Sequence, residues 1–369
     1  MTSELESGRW SRRTFLLTSA AVAGSSSAAG LAGCSAPGGP TSPQVPRAKS
    51  GGSGTAPSGS SAPAPDQPSV SVYPGSVEGA AIEDALAARA AVVLAVGKDD
   101  LGKVGRRLVT AIRDQHVAHA AALRTSNPTD PNTAEPGGTP AGPSSSPSRS
   151  ARVPGFAKAV DQLLVAESKA AVAHRASAMS AEGLGTLLWG SLGVSATHLA
   201  AILKTADLAG EEPDPTVATV AATRARAPMP LVQVAKAEQE MVRQLHAIVY
   251  GYQLALGRLT GARRDTATGE LRRHRILRDR LIATLLNRKA EVPAADAAYV
   301  PSTNPRNAAT AAKLIRQMET ALVPFCGLWL AAAATPAERT EALDQVGRTL
   351  GVARQWGATL PGWPGWKLA

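Results

Sequence analysis

The chain has 369 residues, with 39 Lys and Arg against 29 Asp and Glu, a formal charge of +10 and only 4% aromatic residues. Two cysteines exclude a disulfide framework, and abundant alanine with scarce aromatics favours helices over sheets. Neither an alternating strand pattern nor a Gly-rich phosphate loop occurs, so no nucleotide-binding or solute-binding α/β fold is expected.

The first element is an address. Residues 11–17, Ser-Arg-Arg-Thr-Phe-Leu-Leu, match a twin-arginine export signal, a route for folded cargo. Arg12 and Arg13 form its cationic part, and residues 15–32 form a mildly apolar run. Ser, Ala and Gly dilute that run too far for a membrane span, so residues 1–33 read as a processed signal peptide. Leu31-Ala32-Gly33-Cys34 has the form of a lipobox, which makes Cys34 the first mature residue and the lipidation site. A diacylglycerol thioether there buries two acyl chains at about 0.8 kcal/mol per methylene, enough for stable anchoring. The expected location is extracytoplasmic, on the outer face of the cytoplasmic membrane, with the membrane as a partner through the Cys34 lipid. Loss of residues 1–33 removes three arginines and two glutamates and leaves +9. Cys326, in the apolar stretch VPFCGLWL, then has no intramolecular partner and reads as a buried, inert thiol.

Residues 34–77 are Pro, Gly, Ser and Ala with few large apolar side chains. They cannot bury enough surface to offset ordering entropy, which predicts a disordered tether. A first four-helix bundle is expected over 78–210, with helices at 80–96, 101–124, 155–179 and 184–205 and a disordered loop at 125–153. After a linker at 211–230, a second is expected over 231–369, with helices at 231–259, 268–289, 307–333 and 336–356 and a Trp-rich tail. The fold class is all-α. In the helix from 231, Val242, Leu245, Val249, Tyr252, Leu256 and Leu259 alternate steps of three and four, the inward seam of a bundle. Thin similarity aligns the halves, pairing His116 with His274 and Glu167 with Glu319.

The stretches LHAIVYGY, RRHRILRDRLIATLL, ETALVPFCGLWLAAAA and LPGWPG resemble a ferritin-like domain family of unknown function found in actinobacterial envelope proteins. The resemblance covers residues 231–366 and, more loosely, 78–205. It implies two tandem ferritin-like four-helix bundles and brings no established activity. His246, Tyr250, His274 and Glu319 occupy its motif positions. In that family a glutamate precedes the first-helix histidine, whereas Leu245 precedes His246 here.

A ferritin-like di-metal site needs inward carboxylates and Glu-x-x-His motifs from four helices. The second half lacks them: Leu245 takes a carboxylate's place, and the last helix turns Leu343, Val346, Leu350 and Ala353 inward with no histidine. The first half keeps more polar residues. Gln115 and His119 share a face with Leu108 and Ile112, with His116 beside them. Glu167 and His174 share a row on the next helix, and His198 lies on the fourth. His116, His119, Glu167, His174 and His198 are therefore candidate ligands for one transition metal, imidazole being suited to zinc, iron or copper. The competing reading pairs Glu167 with a histidine or with Arg89 as a structural cluster. On that reading the protein holds no cofactor.

Residues 229–290 carry twelve Lys or Arg against five Asp or Glu. Anionic lipid or an acidic cell-wall polymer is the candidate partner, a solvated helix face is the competing reading, and nucleic acid is not expected. The leading functional expectation is a non-catalytic binding or interaction module at the cell envelope. A metal-binding or metal-dependent redox protein using the first bundle is the alternative. No catalytic residue and no protein partner is indicated.

Overall fold

The structure is a computed structural model that describes residues 73–133, 154–211, 220–221 and 224–368. Arg12, Arg13, Cys34, most of the expected tether and residues 134–153 of the expected loop lie outside the described residues. The described residues form eight α-helices: α1 Ser76–Val96, α2 Lys103–Leu123, α3 Phe156–Ser180, α4 Leu184–Thr205, α5 Val234–Leu256, α6 Gly261–Asn287, α7 Ala308–Ala332 and α8 Pro336–Gln355. The all-α expectation holds. Most ends fall within three residues of the expected ones, but α6 begins seven residues early. Its first turns, GARRDTA, offer only Ala267 to the core, so they carry no apolar period to read.

Local chemistry fixes the later starts well. Asn307 and Thr335 each close a capping box with the residue three positions on, and Pro336 follows Thr335 at the first helical position. In the first half, α1 packs on α2 and α3, and α3 packs on α4. The second half repeats the scheme: α5 packs on α6 and α7, and α7 packs on α8. Contacts of α4 with α7 and α8, and of α3 with α8, join the halves around one hydrophobic core. Helix α4 is long and apolar enough to cross a membrane, yet 78% of that apolar window is buried inside the fold, as suits a central helix.

The segments outside the helices also have places. Residues Thr125 to Thr133, the start of the expected disordered loop, form turns in which Asp130 N–H donates to Asn127 and Thr133 N–H to Asp130. In the expected linker, Ala221 N–H donates to Leu360 and Ala227 N–H to Lys367, tying it to the C-terminal tail. Gly365, at φ +87°, turns that tail tightly onto α7. A Cβ on Gly327 would come within 1.9 Å of the Gly365 carbonyl oxygen. The close approach seats Trp363 and Trp366 in the interior, where both are buried.

Candidate metal centre

The polar residues of the first half meet in one buried cluster. On α2, Gln115, His116 and His119 occupy successive places on the inward face with Leu108 and Ile112. On α3, Glu167 and His174 continue the inward row of Leu163 and Ala170. A further member is Glu83 of α1, which sequence reasoning missed. Its signal was present: Ala80, Glu83, Ala87 and Ala90 lie at steps of three, four and three, so a carboxylate interrupts the buried stripe. In an alanine-rich helix that stripe has little contrast, and the interruption passed as surface.

Glu83 is the hub. Its Oε2 lies 2.7 Å from His116 Nδ1 and 3.0 Å from His119 Nδ1, and its Oε1 lies 2.8 Å from His174 Nε2. His116 Nε2 is 2.7 Å from Glu167 Oε1, while Glu167 Oε2 is buried with no partner. His119 Nε2 is 2.7 Å from the carbonyl oxygen of Gly362, in the C-terminal tail, and the Trp363 ring lies 4.4 Å from the His119 ring. Trp189 stacks on His174 at 5.8 Å. Arg89 is exposed, so of the two partners expected for Glu167 the histidine is the one present.

Burial and ion pairing oppose each other in this pocket. Burial opposes ionisation of Glu83, but His116 and His119 outweigh it and hold the carboxyl well below its usual range. Burial likewise disfavours the His116 cation, yet Glu167 and Glu83 flank it and raise its pKa to about 10. Glu167 is pushed up, chiefly by burial, with His116 opposing.

One oxygen of Glu83 and one ring nitrogen each of His116 and His119 lie within 4.8 Å of one another, a separation one ion can bridge with small side-chain shifts. Glu167 and His174 stand next to that trio. A divalent ion replacing the protons on the two facing nitrogens would meet the Glu83 carboxylate, with Glu167 acting from behind through His116 Nε2, so two negative charges lie close enough to compensate it. Glu83 stands with Glu167 as a second carboxylate and supplies the negative charge a buried ion needs.

His198 is elsewhere. Its Nε2–H donates to the Gly347 carbonyl at 3.1 Å and its Nδ1 accepts from Arg354 at 2.8 Å, on the α4–α8 contact. Burial and the Arg354 charge lower its pKa to about 4, so the ring is neutral.

The second half contains a reduced counterpart. His274 Nε2 lies 2.7 Å from Glu319 Oε1, matching the His116–Glu167 pair, and the Tyr252 hydroxyl donates to the same oxygen at 2.5 Å. His116 and His274 are each the fourteenth residue of their helix, and Glu167 and Glu319 each the twelfth. No second carboxylate bonds to this pair among the described residues, and Leu245 is fully buried in the core. Tyr250 packs on Tyr299 at 5.6 Å, and half-buried His246 has its pKa lowered by burial and by Arg278. Neither hydrogen-bonds to Glu319.

Residues 237–367 match a family described as a domain of unknown function, DUF4439. The matched span takes in nearly all of the second half, where the sequence resemblance was found. A solved structure of a conserved hypothetical protein from Mycobacterium tuberculosis is 25% identical, covering 33% of this chain and 93% of that one, with a TM-score of 0.32. No curated protein matches the chain. The DUF4439 span holds the Tyr252–His274–Glu319 group and supplies Gly362 and Trp363 to the cluster. Glu83, His116, His119, Glu167 and His174 all lie outside it.

Three arginines of the basic helix α6 have carboxylate partners among the described residues. Arg278 pairs with Asp279, Arg273 with Glu270, and Arg280 with Glu341. Cys326 is fully buried, and burial pushes its thiol up to about 12, as suits an unreactive core residue.

Proposed function

We propose that the protein is an exported, lipid-anchored envelope protein of ferritin-like fold whose first helical group binds one transition-metal ion. The observation that carries the metal reading is the convergence of Glu83, His116 and His119, with Glu167 and His174 beside them, in a sealed interior. A donor set of two histidines and one carboxylate, supported by Glu167 behind His116, suits zinc, iron or copper better than magnesium or calcium. The reading ends at binding, and no redox step is assigned. Export rests on Arg12 and Arg13, and anchoring on Cys34.

A second reading keeps the cluster purely structural and the protein a non-catalytic binding module. It is favoured because each histidine of the cluster already faces an acceptor in the fold. Elemental analysis of protein purified from its native host separates the two. One equivalent of metal, lost in Glu83→Gln and retained in Glu319→Gln, is the expected result. Glu167→Gln should weaken binding by about 10- to 100-fold, as loss of a supporting carboxylate does. Metal-free protein that takes up no zinc, cobalt or iron on titration would leave the structural reading standing.

A further inference from the structure

Beside the tail that covers the cluster lies a separate cavity of about 270 Å³, whose walls include Thr125, Asp130, Thr133, Arg224, Arg226 and Trp363. Arg226 is its unusual feature. The side chain is 93% buried, and its guanidinium carbon sits 4.3 Å from the Trp363 ring centre and 4.6 Å from that of Trp366. Main-chain pairing of this segment with the tail fixes its backbone. Yet the guanidinium makes no hydrogen bond to the described residues, and its Nη1 is buried without a partner.

Tryptophan faces satisfy a guanidinium from above and below its plane. They do nothing for the N–H groups that point outward within the plane. Leaving those donors unmade in the interior carries the full desolvation cost, which burial registers by lowering the Arg226 pKa to about 10. A guanidinium packed against two tryptophan rings, with a buried Nη1 that has no partner among the described residues, is suited to pair with a carboxylate. Among the described residues the wall charges are Arg224 and Arg226 against Asp130, a surplus of one positive charge, which suits a monoanion. Three alanines of α2, Pro131 and the Trp363 edge supply an apolar surface for the rest of such a molecule.

We infer that this cavity is a binding site for a small organic carboxylate, held by Arg226 beside Trp363. The cavity shares Trp363 with the wall of the Glu83 cluster, but Arg226 makes no hydrogen bond or ion pair with the candidate metal ligands, and a test on metal-free protein separates the two readings.

The test uses metal-free, dialysed full-length protein titrated with sodium benzoate, acetate, phosphate and chloride at constant ionic strength, read by tryptophan emission and by calorimetry. Saturable benzoate binding, at least several-fold tighter than acetate and not displaced by phosphate, is expected. Arg226→Gln should weaken benzoate at least tenfold. Because that variant also loses its ring contacts, Asp130→Asn provides a second arm that leaves them intact. Removing the competing carboxylate should tighten benzoate several-fold. No saturable binding, or unchanged affinity in both variants, would overturn the site. Phosphate binding more tightly than benzoate would overturn the ligand class.

Discussion

At the scale of single residues, the decisive group is the one with least prominence in the sequence. Glu83 stands in a run of alanines beside Asp84, and nothing but its phase on the helix separates the buried carboxylate from the exposed one. The histidines were legible because the chain has only six and several share helix faces with apolar residues. Their mutual geometry was not, since His119 finds Gly362 across 243 residues. Protonation gives a test in the metal-free protein. His116 has a folded pKa of about 10 against roughly 6.5 in an unfolded chain. A raised pKa stabilises fully below the unfolded value and is lost as pH rises through the folded one. Thermal stability of wild type should therefore fall from pH 7 to 10.5 more steeply than that of His116→Gln. Parallel curves for the two would refute the assigned charge. Glu83 acts with the opposite sign. Its depressed pKa adds stability above its unfolded value, and that share disappears as pH falls through the folded value.

At the scale of elements, helix positions followed from three-and-four periodicity, and the seam through Val242, Leu245 and Tyr252 is buried as the spacing requires. Periodicity says nothing about segments without it. The linker and the tail carry turn residues and tryptophans, and neither reveals that Val220 and Arg226 pair with Leu360 and Leu368. The tail packs on α7 through Gly365 while laying Gly362 and Trp363 against α2. Gly327→Ala tests this seat, because its Cβ would collide with tail backbone that has no flexible end to move aside. Stability should drop by about 1–3 kcal/mol, with tryptophan emission shifting to the red as the tail lifts. Gly269→Ala, on α6 with nothing within 4 Å of its Cβ, should be neutral or gain up to about 1 kcal/mol. Urea unfolding of both variants measures the contrast. Equal effects would remove the tail from its structural role.

At the scale of the whole molecule, the two halves repeat one packing scheme but divide the polar work unequally. The first half holds Glu83, His116, His119, Glu167 and His174, while the second holds one His–Glu pair and contributes the tail that closes the other cluster. A site closed by residues 243 positions away in the chain is complete only once the chain has folded. That property is consistent with the proposed export route, which carries folded cargo and suits a protein loaded before it leaves the cytoplasm. Replacing Arg12 and Arg13 together with lysine should hold the protein inside the cell, folded and with its Glu83 cluster assembled. Cys34→Ser should act later, leaving the exported chain either uncleaved or soluble outside the membrane, since the two acyl chains are the proposed anchor. Cell fractionation with mass spectrometry of the native N-terminus distinguishes these outcomes. A diacylglyceryl mass on Cys34 is expected in the membrane fraction. Cleavage beyond Cys34, or export unchanged in the lysine variant, would remove the address and leave only the folded helical protein to be explained.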